Sequence, residues 1–385
     1  MNEIYLDNNA TTLLDPRVLD VMLPILRAVG NASSAHFLGV QANAAIEDAR
    51  ARVALLIGAS PREIIFTSGA TEANNLALAG VVAASKSRRK VVTASTEHPS
   101  VLGTAQGLAA GGYYHSVVDV DEVGLLNIES LRSAVDTGTA VVSIMAANNE
   151  TGTLAPMAAI AEVVHANGAL FHTDATQLLA WGPINVDEWD VDLLSLSAHK
   201  LHGPQGVGAL YVSRQASRRI RPVHYGGGHE RGLRSGTLNT AGIAGLGAAA
   251  EFARSDGEAA AVAVAALRDG LHSRLIEHVG PVVLNGHPTL RLPGTLNVSF
   301  DSADAEAVMA GAPCVAVATG SACSTGHPGP SHVLTAMGVD EQRASTSLRF
   351  GLSRFTTGQE VVAAADQIGA SVMRVRERSR RVMAQ

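Results

Sequence analysis

The chain has 385 residues, of which 46% are hydrophobic, 17% charged and 4% aromatic, enough apolar material to pack roughly two or three domains and too little charge for general disorder. No apolar run approaches the roughly 18 to 20 residues of a membrane span, and the opening MNEIYLDNNATT has neither a basic nor an apolar leader region, so a soluble, cytoplasmic chain is expected. A formal net charge of −6 gives no global reason to bind nucleic acid or an anionic membrane.

The first strongly periodic segment, QANAAIEDARARVALLIG, predicts an amphipathic helix over 41–58 stopped by Gly58. Strand-like EIIFTS follows, then a helix opening near Gly69, strand-like VVTAS, a helix over 99–110 and strand-like SVVDV. The rhythm continues through AVVSIMA, a helix over 157–166, ALFHTDA, DLLSLSA and GALYVS. Such alternation implies crossover connections and a mainly parallel, helix-covered sheet, with ligand-binding residues at the carboxyl ends of its strands. After about residue 255 the pattern changes to a long Ala-rich helix over 258–277, the short strands VVLNG, TLNVSF, CVAVATG and SLRFGLS, and a helix over 359–376, which suits a smaller α+β domain. The basic tail MRVRERSRR is expected to be a solvated helix end in preference to a binding patch.

Five polar clusters each follow an apolar run: Thr67 to Glu72, Thr96-Glu97-His98, Asn148-Asn149-Glu150, His172 to Gln177, and Ser195 to Lys200. Doubly wound topology would bring all five to one edge of the sheet. Only three of the 29 basic residues are lysines, and Lys200 alone lies outside the charged run from Lys86 to Lys90. A lysine amine, unlike a guanidinium, can lose its proton and act as a nucleophile or base. A pyridoxal phosphate enzyme needs such a lysine for a Schiff base, a carboxylate to keep the pyridine nitrogen protonated, and donors around the phosphate. Lys200 suits the first need and Asp174 the second. Ser68-Gly69-Ala70-Thr71 could cradle a dianion at a helix start, with Ser197 and His199 as further donors and His98 over a flat ring.

Plainer readings stand beside these. Ser68 to Thr71 alone makes a good helix cap with no ligand, and Asp174 alone a turn residue. His172, His199 and His202 with Asp174 could suggest a metal, but no HExxH or comparable pattern is present, so no metal is expected. GPQGVG at 203–208 precedes a strand, which disfavours a dinucleotide fingerprint. Cys314 reads as a small core residue, whereas Cys323 lies among glycines and prolines in a loop, where a thiol is more open to reaction. Strand alternation sets Arg349 on the face opposite Leu348 and Phe350, as a clamp for an α-carboxylate or as a surface ion pair. The glycine-rich run from Gly226 to Thr237 is a specialised loop whose hydroxyls and arginines should serve a ligand or a partner subunit.

Nearly end to end, the sequence resembles the cysteine desulfurases of the class V aminotransferase family, group I. The matching motifs are YLDNNATT, FTSGATEANN, TEH, NNETG, HTDATQ, SAHKLHGPQGVGALYV, GGGHERGLRSGT, GSACS and SLRFGLSRFTT. The resemblance implies an α/β, fold-type-I pyridoxal phosphate transferase: a large cofactor domain over 15–255 with a mainly parallel seven-stranded sheet, and a smaller α+β domain from 1–14 and 256–385. It makes Lys200 the Schiff-base lysine, Asp174 the partner of the pyridine nitrogen, and His98 the stacking and proton-relaying residue. Asn149 and Gln177 would meet the ring hydroxyl. Ala70, Thr71, Ser197 and His199 would hold the phosphate, joined by Thr237 from the second subunit of a homodimer. Arg349, Asn149 and Asn31 would bind L-cysteine, with His36 also near the substrate. The freed Lys200 amine would remove the α-proton, and the Cys323 thiolate would take the sulfur as a persulfide, leaving alanine. The persulfide would pass to an acceptor protein for iron–sulfur cluster assembly or for thio-modification of tRNA, DNA or a cofactor. Ala198 replaces a glycine common among relatives with little expected effect, while Pro328 and Pro330 are expected to restrict the reach of Cys323. Other readings are a transaminase or selenocysteine lyase on the same scaffold, in which Cys323 is dispensable, and a noncatalytic interaction protein docking through its tail.

Overall fold

Short apolar runs bounded by glycine or polar caps form the strands, and longer periodic stretches form the helices. The computed structural model describes residues 3–319 and 330–383. Among them the order is β1 (Ile4–Tyr5), α1 (Pro16–Arg27), α2 (Phe37–Ile57), β2 (Ile64–Thr67), α3 (Ala70–Ala84), β3 (Lys90–Ala94), α4 (Pro99–Ala110) and β4 (Tyr114–Val118). There follow α5 (Ile128–Ala134), β5 (Thr139–Ser143), α6 (Met157–Ala166), β6 (Leu170–Asp174), α7 (Val186–Trp189), β7 (Leu193–Ser197), β8 (Gly208–Val212) and α8 (Thr240–Val279). The chain continues with β9 (Val283–Leu284), β10 (Thr295–Ser299), α9 (Ala305–Gly311), β11 (Val315–Ala316), α10 (His332–Ala336), α11 (Glu341–Ser345), β12 (Ser347–Gly351) and α12 (Gly358–Met383).

The large sheet has seven strands in the order β2-β8-β7-β6-β5-β3-β4. Only β8 runs against the others, being antiparallel to both β2 and β7, while the remaining pairings are parallel. The carboxyl ends of six strands therefore share one edge, as the alternation predicts. One face of the sheet packs Phe66, Val142, Phe171 and Leu194 against Val53 of α2 and Leu246 of α8. The other packs Val91, Leu170 and Leu210 against Leu76 and Val81 of α3. A separate core gathers Val298, Phe300 and Leu348 with Leu271 and Leu275 of α8 and Ile368 of α12, and Ile4 and Leu6 join it from the other end of the chain.

Capping explains several boundaries. Asp15 accepts the Arg17 N–H at the start of α1, with Pro16 at the first helical position. Gly58 ends α2 in the left-handed region at φ +69°. The longest departure from expectation is α8, an unbroken helix that begins 18 residues before the expected 258. Its first turns are buried on every side, from Ile243 and Leu246 to Ala249 and Ala250, so no polar face betrays a helical period there. Gly247 lets α8 close on α2: a Cβ there would lie 2.5 Å from Ala49 Cα. No helix among the described residues is long and apolar enough to cross a membrane.

Candidate active site

The shared strand edge opens into a cavity of about 520 Å³. Its floor starts where β2 hands over to α3. Gly69 sits there at φ +153°, a conformation L side chains rarely adopt, and Gly208 of β8 lies so close that a Cβ on it would come within 2.7 Å of Gly69 Cα. Gly69 occupies the N-cap of α3 and no side chain caps the helix, so the simple capping explanation of Ser68 to Thr71 fails. These four residues line the cavity instead, at the positive end of a 15-residue helix.

Asp174, the last residue of β6, is 7% exposed and lines the same cavity. Its Oδ2 accepts from Asn74 Nδ2 at 2.8 Å and its Oδ1 from the Thr176 N–H at 3.0 Å, which fixes the carboxylate's orientation. His98 caps α4, with Nδ1 2.7 Å from Ser100 Oγ. Burial, opposed by Asp174, holds its imidazole below the ordinary histidine value, with Lys200 and His332 acting in the same direction as burial. His199 is pushed down to about 4 by burial and by Lys200. Its ring is neutral at pH 7, with Nδ1 3.1 Å from Thr11 Oγ1. Lys200, just beyond β7, donates its amine to the carbonyls of Asn9 and Ala10. Asn149, Gln177 and Ser197 complete the expected set on the cavity wall.

Arg349 does not line the cavity, and it is no surface residue either. It is 1% exposed on β12, with Nη2 2.8 Å from Asp7 Oδ1 and Nη1 donating to the Asn149 carbonyl at 3.1 Å. The guanidinium thus stands behind the Asn149 wall. Asn31 and Thr237 are exposed and outside the lining, Asn31 accepting the Ser33 N–H. Cys323 lies outside the described residues, as does Pro328, so the expectation about the reach of Cys323 does too. The histidines of the metal alternative do not converge. His172 is buried between Ser143 and Ser195, at 2.7 and 3.0 Å, while His202 meets the Leu13 carbonyl. Among the described residues no group of three or more His, Cys, Asp or Glu is placed to hold a metal ion.

In the glycine-rich loop the arginines bond within their own chain. Arg231 donates to the Ile64 carbonyl, and Arg234 Nε to Glu72 at 2.8 Å. Glu230 is buried beneath the loop in a two-point ion pair with Arg50, both contacts at 2.8 Å, and accepts the Phe66 N–H. Sequence reasoning also passed over Asn9, Ala10 and Thr11, which line the cavity. Their signal was the polar run DNNATT directly after a strand, some 190 positions from Lys200. Three carboxyls from the strand-end clusters received no role: Glu72 pairs with Arg234, Glu97 is fully buried and pushed by burial well above the carboxylate range, and Glu150 is pushed up to about 7.

Comparison with known proteins decides the family. The family described as "Aminotransferase class-V" matches residues 4–363. The chain belongs to the class-V aminotransferase family. It is similar to "Cysteine desulfurase IscS" of Anaeromyxobacter dehalogenans (strain 2CP-C), 46% identical over 379 residues, 98% of this chain and 94% of the relative. Among solved structures, a "NIFS-LIKE PROTEIN" superposes with a TM-score of 0.89 at 38% identity, covering 96% of this chain and 98% of the other. "SspA in complex with cysteine" superposes with a TM-score of 0.82 at 34% identity, covering 92% and 100%. Membership implies a pyridoxal-phosphate-dependent enzyme. The class-V site present here fits that group, offering an uncapped helix start for a dianion, an oriented buried carboxylate and a lysine amine on one cavity.

Proposed function

We propose that the chain is a pyridoxal-phosphate-dependent cysteine desulfurase, which moves sulfur from L-cysteine to Cys323 and releases L-alanine. The observation that carries this is the meeting of Lys200, Asp174 and the Gly69 helix start on one cavity, with Arg349 buried behind its wall. When bound, pyridoxal phosphate supplies an electron sink for the carbanion left by loss of the substrate's α-proton. Thr71, Ser197 and neutral His199 would hold the phosphate with the N–H groups of α3. Asp174 would keep the pyridine nitrogen protonated, and Asn149 and Gln177 would meet the ring hydroxyl. His98, neutral and buried, would lie over the ring and exchange protons with the substrate.

Lys200 would hold the cofactor through its amine and, when free, would be the base that removes the substrate's α-proton. Arg349 is the carboxylate anchor; the Asn149 carbonyl and Asp7 hold its fork in place until substrate arrives. The Cys323 thiolate would attack the substrate sulfur, the carbon–sulfur bond breaking with its electron pair left on the substrate carbon, which is protonated and leaves as L-alanine. The persulfide on Cys323 would then pass to an acceptor protein of iron–sulfur assembly or thio-modification. Thr237 completes the phosphate site from the second subunit of a homodimer, and Asn31 contributes to binding of L-cysteine. Exposed Leu26, Phe37 and Tyr225 offer apolar surface for the second copy. The fold divides functionally into a cofactor domain over 15–255 and a domain from 1–14 and 256–385 that carries Cys323.

The purified holoenzyme, given L-cysteine, should produce alanine and a persulfide mapped to Cys323 by mass spectrometry. Cys323→Ser should lose persulfide and sulfide release, and Lys200→Ala should lose alanine formation as well. Sulfide release by Cys323→Ser at the unsubstituted rate would reject the desulfurase mechanism in favour of a lyase or transaminase.

A further inference from the structure

The turn after β5 is organised by Asn148, whose Oδ1 accepts the N–H groups of Glu150 and Thr151, both at 2.9 Å. It presents three adjoining groups to three parts of the molecule. The Asn149 carbonyl accepts from Arg349 at 3.1 Å. The Glu150 carbonyl accepts from Asn297 Nδ2 of β10 at 3.2 Å. The Glu150 carboxyl, 2% exposed, accepts the hydroxyl of Ser331.

Ser331 is itself buried and caps α10, accepting the Leu334 N–H at 3.1 Å. The next residue, His332, places Nε2 3.0 Å from the Glu97 carbonyl, beside His98. Val333, Leu334 and Met337 close a small apolar cluster behind these contacts. Two successive residues at the head of α10 are therefore pinned to the ends of two strands of the large sheet, one on the Arg349 side of the cavity and one on the His98 side. Ser331 follows Cys323 by eight positions.

We propose that Glu150 is a positioning residue for sulfur transfer: by accepting the Ser331 hydroxyl it fixes the head of α10, eight positions after Cys323 in sequence, against the Asn149 wall of the cavity. Glu150 does not line the cavity and touches no reacting atom. It acts through Ser331, and its backbone neighbour holds Arg349. This role rests on the desulfurase function proposed above. It separates two steps: substrate binding depends on Arg349 and Lys200, whereas delivery of the thiolate depends on the head of α10.

The test uses holoenzyme carrying Glu150→Ala, Ser331→Ala, both together, or Glu150→Gln, which keeps a carbonyl acceptor. Two quantities are read: the L-cysteine concentration that gives half of the visible spectral change, and the single-turnover rate of persulfide formation on Cys323. Glu150→Ala and Ser331→Ala should slow persulfide formation by about tenfold or more, the order set by a buried hydrogen bond to an ionisable partner. Half-saturation should move by less than about threefold, so that the loss is in transfer and not in binding. Glu150→Gln should recover most of the rate, and the double variant should be no slower than the slower single one. An unchanged persulfide rate in both alanine variants overturns the proposal, as does an equal loss of binding and transfer that Glu150→Gln fails to rescue. Absence of persulfide on Cys323 in the unsubstituted holoenzyme overturns the desulfurase function, and the positioning role with it.

Discussion

At the residue scale several groups in and around the site are buried in the form in which they are uncharged. His98 and His199 sit below the ordinary histidine value and Glu97 and Glu150 above the ordinary carboxylate value, with burial the leading cause each time. For Glu150 the consequence can be measured. Burial raises it from 4.5 to about 7, with the Ser331 hydroxyl and Arg349 pulling back. The folded chain thus binds this proton more tightly than the unfolded chain. Its contribution to stability is complete below pH 4.5 and is lost as pH rises through about 7. Each pH unit across that interval costs about 1.4 kcal/mol, so Glu150→Gln should gain on the unsubstituted protein by up to about 3 kcal/mol between pH 4.5 and 7.5. Urea unfolding of the two proteins at several pH values reads this, and a pH-independent gap would count against a protonated Glu150. Lys200 and Asp174 were legible in the sequence because chemistry restricts a Schiff base to lysine and because each follows an apolar run. Asn9 and Thr11 were not legible as wall residues, since only tertiary folding brings them to His199 and Lys200.

At the element scale most of the strand-and-helix rhythm between residues 60 and 215 was readable because its main segments have either a strand's short apolar run or a capped helical period, whereas the short helices α5 and α7 were not foreseen. The helices at Pro99–Ala110 and Met157–Ala166 fall at their expected bounds. The beginning of α8 and the whole of α1 escaped for different reasons. The first is buried all round, whereas the second has both a cap, Asp15-Pro16, and apolar residues at helical spacing, Val18 and Met22, but carries Pro24 in its interior, which argues against a helix. Two glycines of α8 give substitutions of opposite sign. Gly247→Ala would drive a methyl into Ala49 of α2 and should destabilise by about 1–3 kcal/mol. Gly270 is exposed with nothing within 4 Å of an added Cβ, so Gly270→Ala should stabilise by about 0.5–1 kcal/mol through helix propensity alone. Denaturant midpoints of the two variants check both signs.

At the scale of the whole molecule, the N-terminal segment ties the smaller sheets to the cavity wall. β1 pairs with β11, Asn8 Nδ2 donates to the Gly351 carbonyl at 2.8 Å, and Asn9 Nδ2 reaches Thr295 Oγ1 at 2.8 Å. Thr12 then bonds the His199 carbonyl at 2.8 Å, so one strap of chain runs from the second core to the His199 end of the cavity. Removing residues 1–9 should lower the unfolding midpoint and strip most of the visible cofactor absorbance from the purified protein. Retention of full cofactor content after that deletion would show that the strap does not shape the cavity.

The other connection between the cores is α8, whose first half serves one and whose second half serves the other. Forty helical residues make a rod about 60 Å long. A rod embedded at both ends does not swivel as a loop does; it bends along its length and springs back. Such stiffness between the part that carries Arg349 and the part that carries Lys200 would, on the function proposed above, suit an enzyme that holds one small amino acid between an arginine and a lysine while a third residue takes its sulfur.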